Sequence, residues 1–414
     1  MPSSRIKTSR LFDGDQLRTE PSLGIVIRGD RIDSILASGE ATATAPDCQE
    51  LDASGLTILP GLIDAHFHPV SSSFDVSSID RSHPSLRALD ARRHLESALL
   101  RGFTTVRDAG GGDIGLVRAT ELGLIRGPRL LMAGKAISQT GGHGDMRPAD
   151  AVPLCSCGYQ GTLSAVVDGP DEMRRAVREQ LRQGATQIKL FVSGGVLSPT
   201  DPIWMNQFTD EEIRAAVEEA ASRRTYVMAH AHTADAVQRC IRNGVRSIEH
   251  GTLMDRASAD AVAEADAFVV PTLAVVDVLR QGVARLPPGA LDKLSSIADQ
   301  NAESLALCAK AGVKLGFGTD LFGELRDRQN HEFIIRSRVQ PAIDVVRSAT
   351  RVNAELLNLR GQIGTIAPGA CADLIGVSGN PIEDPRLLAE PEKYLKLVIR
   401  GGEIIVNRLP ENLA

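Results

Sequence analysis

Two histidines one residue apart, His66 and His68, close the apolar stretch "LPGLIDAHFHP" at 59–69. The chain holds nine histidines in 414 residues, so this pair concentrates metal-competent groups. A second pair, His230 and His232, ends "YVMAHAH"; His250 ends "RSIEH", Asp320 ends "KLGFGTD", and Lys189 lies inside "QIKLFV". Each run has the apolar, β-rich character of a buried strand. Alternate residues of a strand share a face, so each His-x-His pair projects the same way at two depths. Taken singly, a strand-end histidine is ordinarily a hydrogen-bonded structural residue, Asp320 reads as an N-cap, and Lys189 as a snorkelling side chain. One hypothesis uses all of them together: a metal site on the rim where the strands end.

Lys189 defines the kind of site. A buried ammonium is costly, and beside two dications it is repelled. Capture of carbon dioxide by its amine reverses the sign and supplies two oxygens that bridge a metal pair. Two divalent ions then exceed the negative charge of the carbamate, Asp320 and a bridging hydroxide by one unit, the neutral histidines adding none. That surplus polarises a carbonyl and keeps the hydroxide deprotonated near neutral pH.

The elements that must position these groups alternate along the middle of the chain. Short apolar runs appear at "LIDAHFH", "TTVRDAG", "RLLMAG", "QIKLFVSGG", "YVMAHAH", "RSIEHG", "FVVPTLAV" and "KLGFGTD". Helical stretches such as "PDEMRRAVREQLRQG" and "TDEEIRAAVEEAASR" separate most of them, opening on Ser, Thr or Asp caps and ending near Gly. This predicts an α/β fold, a (β/α)8 TIM barrel over 59–363 with its site at the C-terminal face. Residues 1–58 and 364–414 read as short strands around Gly-rich turns, predicting one small β-sandwich built from both termini. The long connections at 137–170 and after "KLFVSGG" predict binding loops, with Pro202, Ile203, Trp204, Met205 and Phe208 as an apolar wall.

A net charge of −6 with no basic stripe excludes a nucleic-acid partner. With no apolar run long enough to span a bilayer and no leader-like segment at the start, the expectation is a cytoplasmic protein without a membrane partner. The six cysteines have no disulfide spacing, and Cys155-x-Cys157 reads as a loop rather than a second metal site. His83 and His94 read as solvated, and Arg107 with Asp108 as an ion pair on the barrel rim.

On the motifs quoted, the chain resembles the amidohydrolase superfamily from end to end. "LPGLIDAHFHP" resembles its first-strand signature, "KLFVSGGV" its carboxylated-lysine strand, "SIEHG" its sixth strand, "GFGTD" its eighth and "GTIAPGACADLIGV" its C-terminal sandwich return. The closest resemblance is to the imidazolonepropionase-like branch, with its Xaa-Pro and other dipeptidases and its ochratoxin A-hydrolysing amidohydrolases. The resemblance implies two divalent metal ions, zinc first among the candidates. His66, His68 and Asp320 hold the more buried ion, His230 and His250 the other, and carboxylated Lys189 with a hydroxide bridges them. It also implies that Asp320 moves the proton from water to the leaving amine. His143, in "ISQTGGHGD", matches a residue that contacts the scissile carbonyl or a substrate carboxylate. His232 stands where prolidase-like members carry Tyr, which assigns it to the substrate; His331, in "RQNHEF", is a further candidate for the pocket.

The activity implied is hydrolysis of an amide joining an acyl group to an L-amino acid. Dipeptides and N-acyl amino acids with a hydrophobic or aromatic C-terminal residue are the expected small-molecule partners, ochratoxin A among them. The alternatives are an Xaa-Pro dipeptidase, a cyclic-amide hydrolase or deaminase of the imidazolonepropionase type, and a scaffold protein that has lost its metals. Lys189 argues against the deaminase, and the full ligand set against the scaffold. Relatives are commonly oligomeric, which makes a homo-oligomer the expectation.

Overall fold

The apolar runs form short strands and the capped amphipathic segments between them form helices. The computed structural model describes residues 3–38, 40, 48–150, 161–282, 286–287 and 289–409, so Cys155 and Cys157 lie outside the described residues. The chain divides into two compact units, one of Met1–Asp64, Glu96–Thr105 and Asn330–Ala414, the other of Ala65–Leu95 and Val106–Gln329.

The second unit is α/β. Its seven-stranded sheet runs in the order Ser164–Val166, Ala136–Ser138, Ile188–Phe191, Val227–Thr233, Ser247–Leu253, Phe268–Val270 and Lys314–Leu315. Every paired neighbour is parallel. Val227–Thr233 and Ser247–Leu253 are buried along all but their last residues, as a parallel sheet covered on both faces requires. Helices Pro170–Arg182, Asp210–Ser222, Ala234–Arg242 and Arg256–Glu264 alternate with these strands. Thr209 caps Asp210–Ser222 in a reciprocal box with Glu212, and Thr233 caps Ala234–Arg242 directly after the histidine pair. A three-stranded sheet orders Leu62–Phe67, Phe103–Asp108 and Arg129–Leu131, of which 65–67, 106–108 and 129–131 fall in this unit. The amide of Ala65 donates to the carbonyl of Phe317 at 2.8 Å, which ties the strand carrying His66 to the segment leading to Asp320.

The first unit is built on an eight-stranded sheet that joins both chain ends: Leu374–Ser378, Leu395–Arg400 and Glu403–Asn407 extend a sheet begun by Ser3–Phe12, Leu17–Arg28 and Leu56–Pro60. Ile6, Leu11, Ile25, Ile58, Leu374 and Leu397 are buried in its core. Among the described residues no helix is long and apolar enough to cross a membrane.

Candidate metal centre

His66 and His68 are buried at the end of their strand and direct their Nε2 atoms at one oxygen. That oxygen is Asp320 Oδ1, 3.4 Å from His66 and 3.2 Å from His68. One ligand atom from each of the three lies within 4.8 Å of the others. The far side of each ring is held. His68 donates from Nδ1 to the Gly110 carbonyl at 2.9 Å, and His66 from Nδ1 to Glu249 Oε2 at 2.7 Å. These Nδ1 contacts orient both rings with Nε2 towards Asp320, as oriented metal ligands require. Gly318 lets the Asp320 segment lie against this strand, since a Cβ there would sit 2.9 Å from the His66 nitrogen. The Asp320 amide donates to the His66 carbonyl at 2.9 Å, with Asp320 itself at φ 55°.

Beside this cluster stand His230, His232, His250 and Lys189, all buried. The rings of His230 and His250 are 4.5 Å apart between centroids, and His250 is 5.0 Å from His66, so the imidazoles run on continuously. His230 donates from Nε2 to the Gly194 carbonyl at 3.2 Å, leaving Nδ1 free to bind. His250 keeps Nδ1 on Thr272 Oγ1 at 2.7 Å, and His232 keeps its Nδ1 on Thr252 Oγ1 at 2.6 Å.

The electrostatics suit cation binding. Burial, with mutual repulsion, pushes His230 and His250 well below the ordinary histidine range and His232 to about 3, so all three are neutral donors. Burial opposes charge on His66 too, but the Asp320 and Glu249 carboxylates outweigh it and raise its pKa. Burial would raise Asp320, yet the surrounding imidazoles hold it well below the usual carboxylate range. Lys189 is brought down to about 8, chiefly by burial. The neutral imidazoles of His230 and His250, an ionised carboxylate and a readily deprotonated amine form a donor set that fits divalent metal.

Glu249 was not singled out from sequence. It is fully buried, accepts from His66, Ser247 and both Nη2 contacts of Arg107 at 2.8 and 3.0 Å, and is held at about 2 because Arg107 overcomes the cost of burial. The expected rim pair of Arg107 with Asp108 is therefore corrected. Arg107 lies wholly inside and pairs with Glu249, while Asp108 accepts the Gly110 and Ala133 amides, each at 3.0 Å. His94, expected to be solvated, is buried with its ring 4.2 Å from that of Phe67. His83 is exposed, as expected.

A cavity of about 100 Å³, open to solvent, lies over the cluster and is lined by His66, His68, Lys189, His230, His250 and Asp320 together with His143 and His232. His143 holds Nδ1 2.7 Å from Ser198 Oγ. The apolar wall is not the expected one. Pro202, Ile203, Trp204, Met205 and Phe208 do not line the cavity, and Trp204 is 75% exposed. Val196 and Leu197, then Val275, Val276 and Leu279 of helix Leu273–Arg280, and Leu294 and Ile297 of helix Ala290–Ala298 form it instead. His331 is absent from the lining and heads helix His331–Arg336 in the first unit.

Parallel sheets, a strand-end histidine array and an oriented carboxylate bring together the groups that metal-assisted hydrolysis uses. The chain belongs to the amidohydrolase family, whose model matches residues 57–404. It is similar to the ochratoxinase of Aspergillus niger, 31% identical over 367 residues that cover 84% of this chain and 75% of the relative. Among solved structures it resembles a prolidase complexed with N-methylphosphonate-L-proline, at 43% identity and a TM-score of 0.93 over 98% of this chain and 100% of the other. It also resembles an Xaa-Pro dipeptidase with bound methionine in its active site, at 33% identity and a TM-score of 0.86 over 97% and 99% of the two chains.

Proposed function

We propose that this chain is a binuclear metal-dependent amidohydrolase that releases a hydrophobic or aromatic L-amino acid from a dipeptide or an N-acyl conjugate, ochratoxin-like aryl amides included. His66, His68 and Asp320 would hold one ion and His230 and His250 the second, and Lys189, once carboxylated on Nζ, would serve as a ligand shared by both. Two divalent ions, zinc the first candidate, supply Lewis-acid activation of water and of the amide carbonyl. The chain's own groups do the rest. Asp320 accepts the proton of the attacking water and delivers it to the leaving nitrogen. His143 and His232, both on the cavity wall, orient the substrate's carbonyl and carboxylate. Glu249 fixes the His66 ring from behind. The branched wall of Val275, Val276, Leu279, Leu294 and Ile297 accepts an apolar side chain and shields the site from water.

The observation that carries this reading is the convergence of two tautomer-fixed histidines on one Asp320 oxygen beside a fully buried lysine. In topology, we take the parallel sheets as arcs of one (β/α)8 barrel over 59–363, with 1–58 and 364–414 as its small β-sandwich. The bond from Ala65 to Phe317 supports that closure. The test is metal analysis of purified protein, expected at about two ions per chain, followed by a panel of N-acyl amino acids, dipeptides and ochratoxin A. Turnover confined to cyclic imides or aminopurines overturns the proposal. A second reading, an Xaa-Pro dipeptidase, is favoured by the likeness to a prolidase. Preference for Xaa-Pro over Xaa-Phe and N-acyl-phenylalanine in the same panel would select it.

A further inference from the structure

Lys293 is the residue on helix Ala290–Ala298 that faces the loop after strand Ile188–Phe191. Its ammonium donates to three backbone carbonyls of that loop: Gly195 at 2.9 Å, Ser198 at 2.8 Å and Asp201 at 2.6 Å. An ammonium has three protons, and all three are used on one stretch of chain. The carboxylate of Asp201, itself fully buried, stands 3.6 Å from the same nitrogen and balances its charge.

Both partners of this clamp carry walls of the substrate cavity. Leu294 and Ile297 lie on the helix beside Lys293, and Val196 and Leu197 lie on the loop it grips. The loop also sets His143. Ser198 Oγ is 2.7 Å and Asp201 Oδ2 3.6 Å from its Nδ1, and the Cα of Gly195 lies so close to the imidazole that a Cβ would meet ring atoms at 2.2–2.4 Å. Asp201 Oδ2 is in turn fixed by the Gly195 amide at 3.0 Å and by Gln207 Nε2 at 3.2 Å, while Gln207 Oε1 accepts the His143 amide at 3.0 Å. One ammonium therefore joins two segments about a hundred residues apart in sequence, and the seam it closes runs through the apolar wall, whose loop side also holds His143.

We infer that Lys293 is a positioning residue for substrate selection: by docking helix Ala290–Ala298 onto the loop 195–201 it sets the width of the apolar pocket and the orientation of His143. The inference rests on the reading of this cavity as the amide-hydrolysing site. Lys293 is not among the residues lining the cavity and touches no metal ligand's side chain. Its loss should therefore spare the chemical step and disturb recognition.

The test compares wild type with K293M, which keeps the stem and removes all donors, and K293R, which keeps the charge but presents a planar fork. For N-acetyl-phenylalanine and N-acetyl-alanine, K293M is expected to raise KM for the aromatic substrate about 30-fold with kcat within about threefold. The preference for phenylalanine over alanine should narrow about tenfold, metal content should be unchanged, and K293R should recover most of the loss. A purely structural anchor would instead lower kcat and metal content together. In hydrogen exchange, amides of 194–201 and of 290–298 should both exchange about 30-fold faster in K293M, with Val227–Thr233 unaffected. If K293M does not fold, K293Q takes its place in both arms. KM and preference within twofold of wild type, or unchanged exchange in either segment, overturns the inference. Inactivity of the wild type on every amide tested sinks the hydrolase reading alone, and the exchange arm still decides whether the clamp exists.

Discussion

Replacing Glu249 by glutamine probes the buried axis from Arg107 through Glu249 to His66. In the wild type the carboxylate accepts the His66 Nδ1–H at 2.7 Å and two guanidinium contacts at 2.8 and 3.0 Å, all fully out of solvent. Glu249→Gln keeps the shape and removes the charge. Two separable effects follow. Arg107 becomes a buried cation without its counter-ion, which should cost about 3–5 kcal/mol of stability. The His66 ring loses the anionic acceptor that fixes its tautomer, which should weaken metal binding about 10–100-fold. A Glu249 pKa near 2 against an ordinary 4.5 gives a consistent scale. A folded pKa below the unfolded one means stability of about 3 kcal/mol that is present above pH ~4.5 and lost as pH falls towards 2. The double variant Arg107→Met/Glu249→Gln separates the effects: removing the orphaned cation should restore most of the stability and none of the metal affinity. Denaturant unfolding of the metal-free proteins and chelator competition on the loaded ones read the two quantities. Metal affinity in E249Q equal to wild type, or full recovery of affinity in the double variant, would show that Glu249 serves Arg107 alone.

Lys189, at a pKa of about 8, is neutral in roughly one molecule in ten at pH 7, about 300-fold more often than an ordinary lysine at 10.5, and so is primed to take up carbon dioxide. Metal-free protein reconstituted in CO2-depleted buffer should bind less than its full complement of ions until bicarbonate is added, and a stoichiometry indifferent to bicarbonate would count against a carbamate. Gly195→Ala should displace the His143 ring, because the new Cβ would lie 2.2–2.4 Å from its atoms. A loss of about 100-fold in kcat/KM with full metal content is expected, and activity within a few-fold of wild type would remove His143 from the substrate. Burial pushes Cys240 and Cys308 up to about 12, so their thiolate fraction at pH 8 is about one in ten thousand. Thiol titration of the native protein should leave both unlabelled until denaturant is added.

The ligand array was legible because each member breaks the apolar rule of a buried strand, Lys189 from inside its run and His66, His68, His230, His232, His250 and Asp320 at the ends of theirs. Glu249 escaped for a definite reason. Strand alternation sends Glu249 and His250 to opposite faces, so a reading that places His250 in the site leaves Glu249 out. The backbone departs from alternation there, with His250 at φ 74°, and both side chains reach the centre. Alternation would instead have grouped Glu249 with Ser247, its actual partner. His94 was recoverable from helical spacing, since Ala91, Leu95 and Ala98 define the buried stripe of helix Pro84–Leu100 and His94 falls three residues after the first of them. The apolar wall was not recoverable. Leu273–Arg280 and Ala290–Ala298 present branched side chains that look alike in sequence whether they face a core or a cavity. The exposed Trp204 drew attention for its size alone.

His250, Thr272 and Asp320 each sit in the left-handed region, at φ 74°, 45° and 55°. None is glycine, and each such residue costs on the order of 1 kcal/mol or more when nothing enforces it. The segments that carry them should relax to ordinary extended geometry when cut from the protein. Transplanting the ligand motifs onto a foreign framework would therefore carry over the letters and lose the aim. The arrangement belongs to the neighbouring strands and the turns that follow them, and these three bends hold it in place.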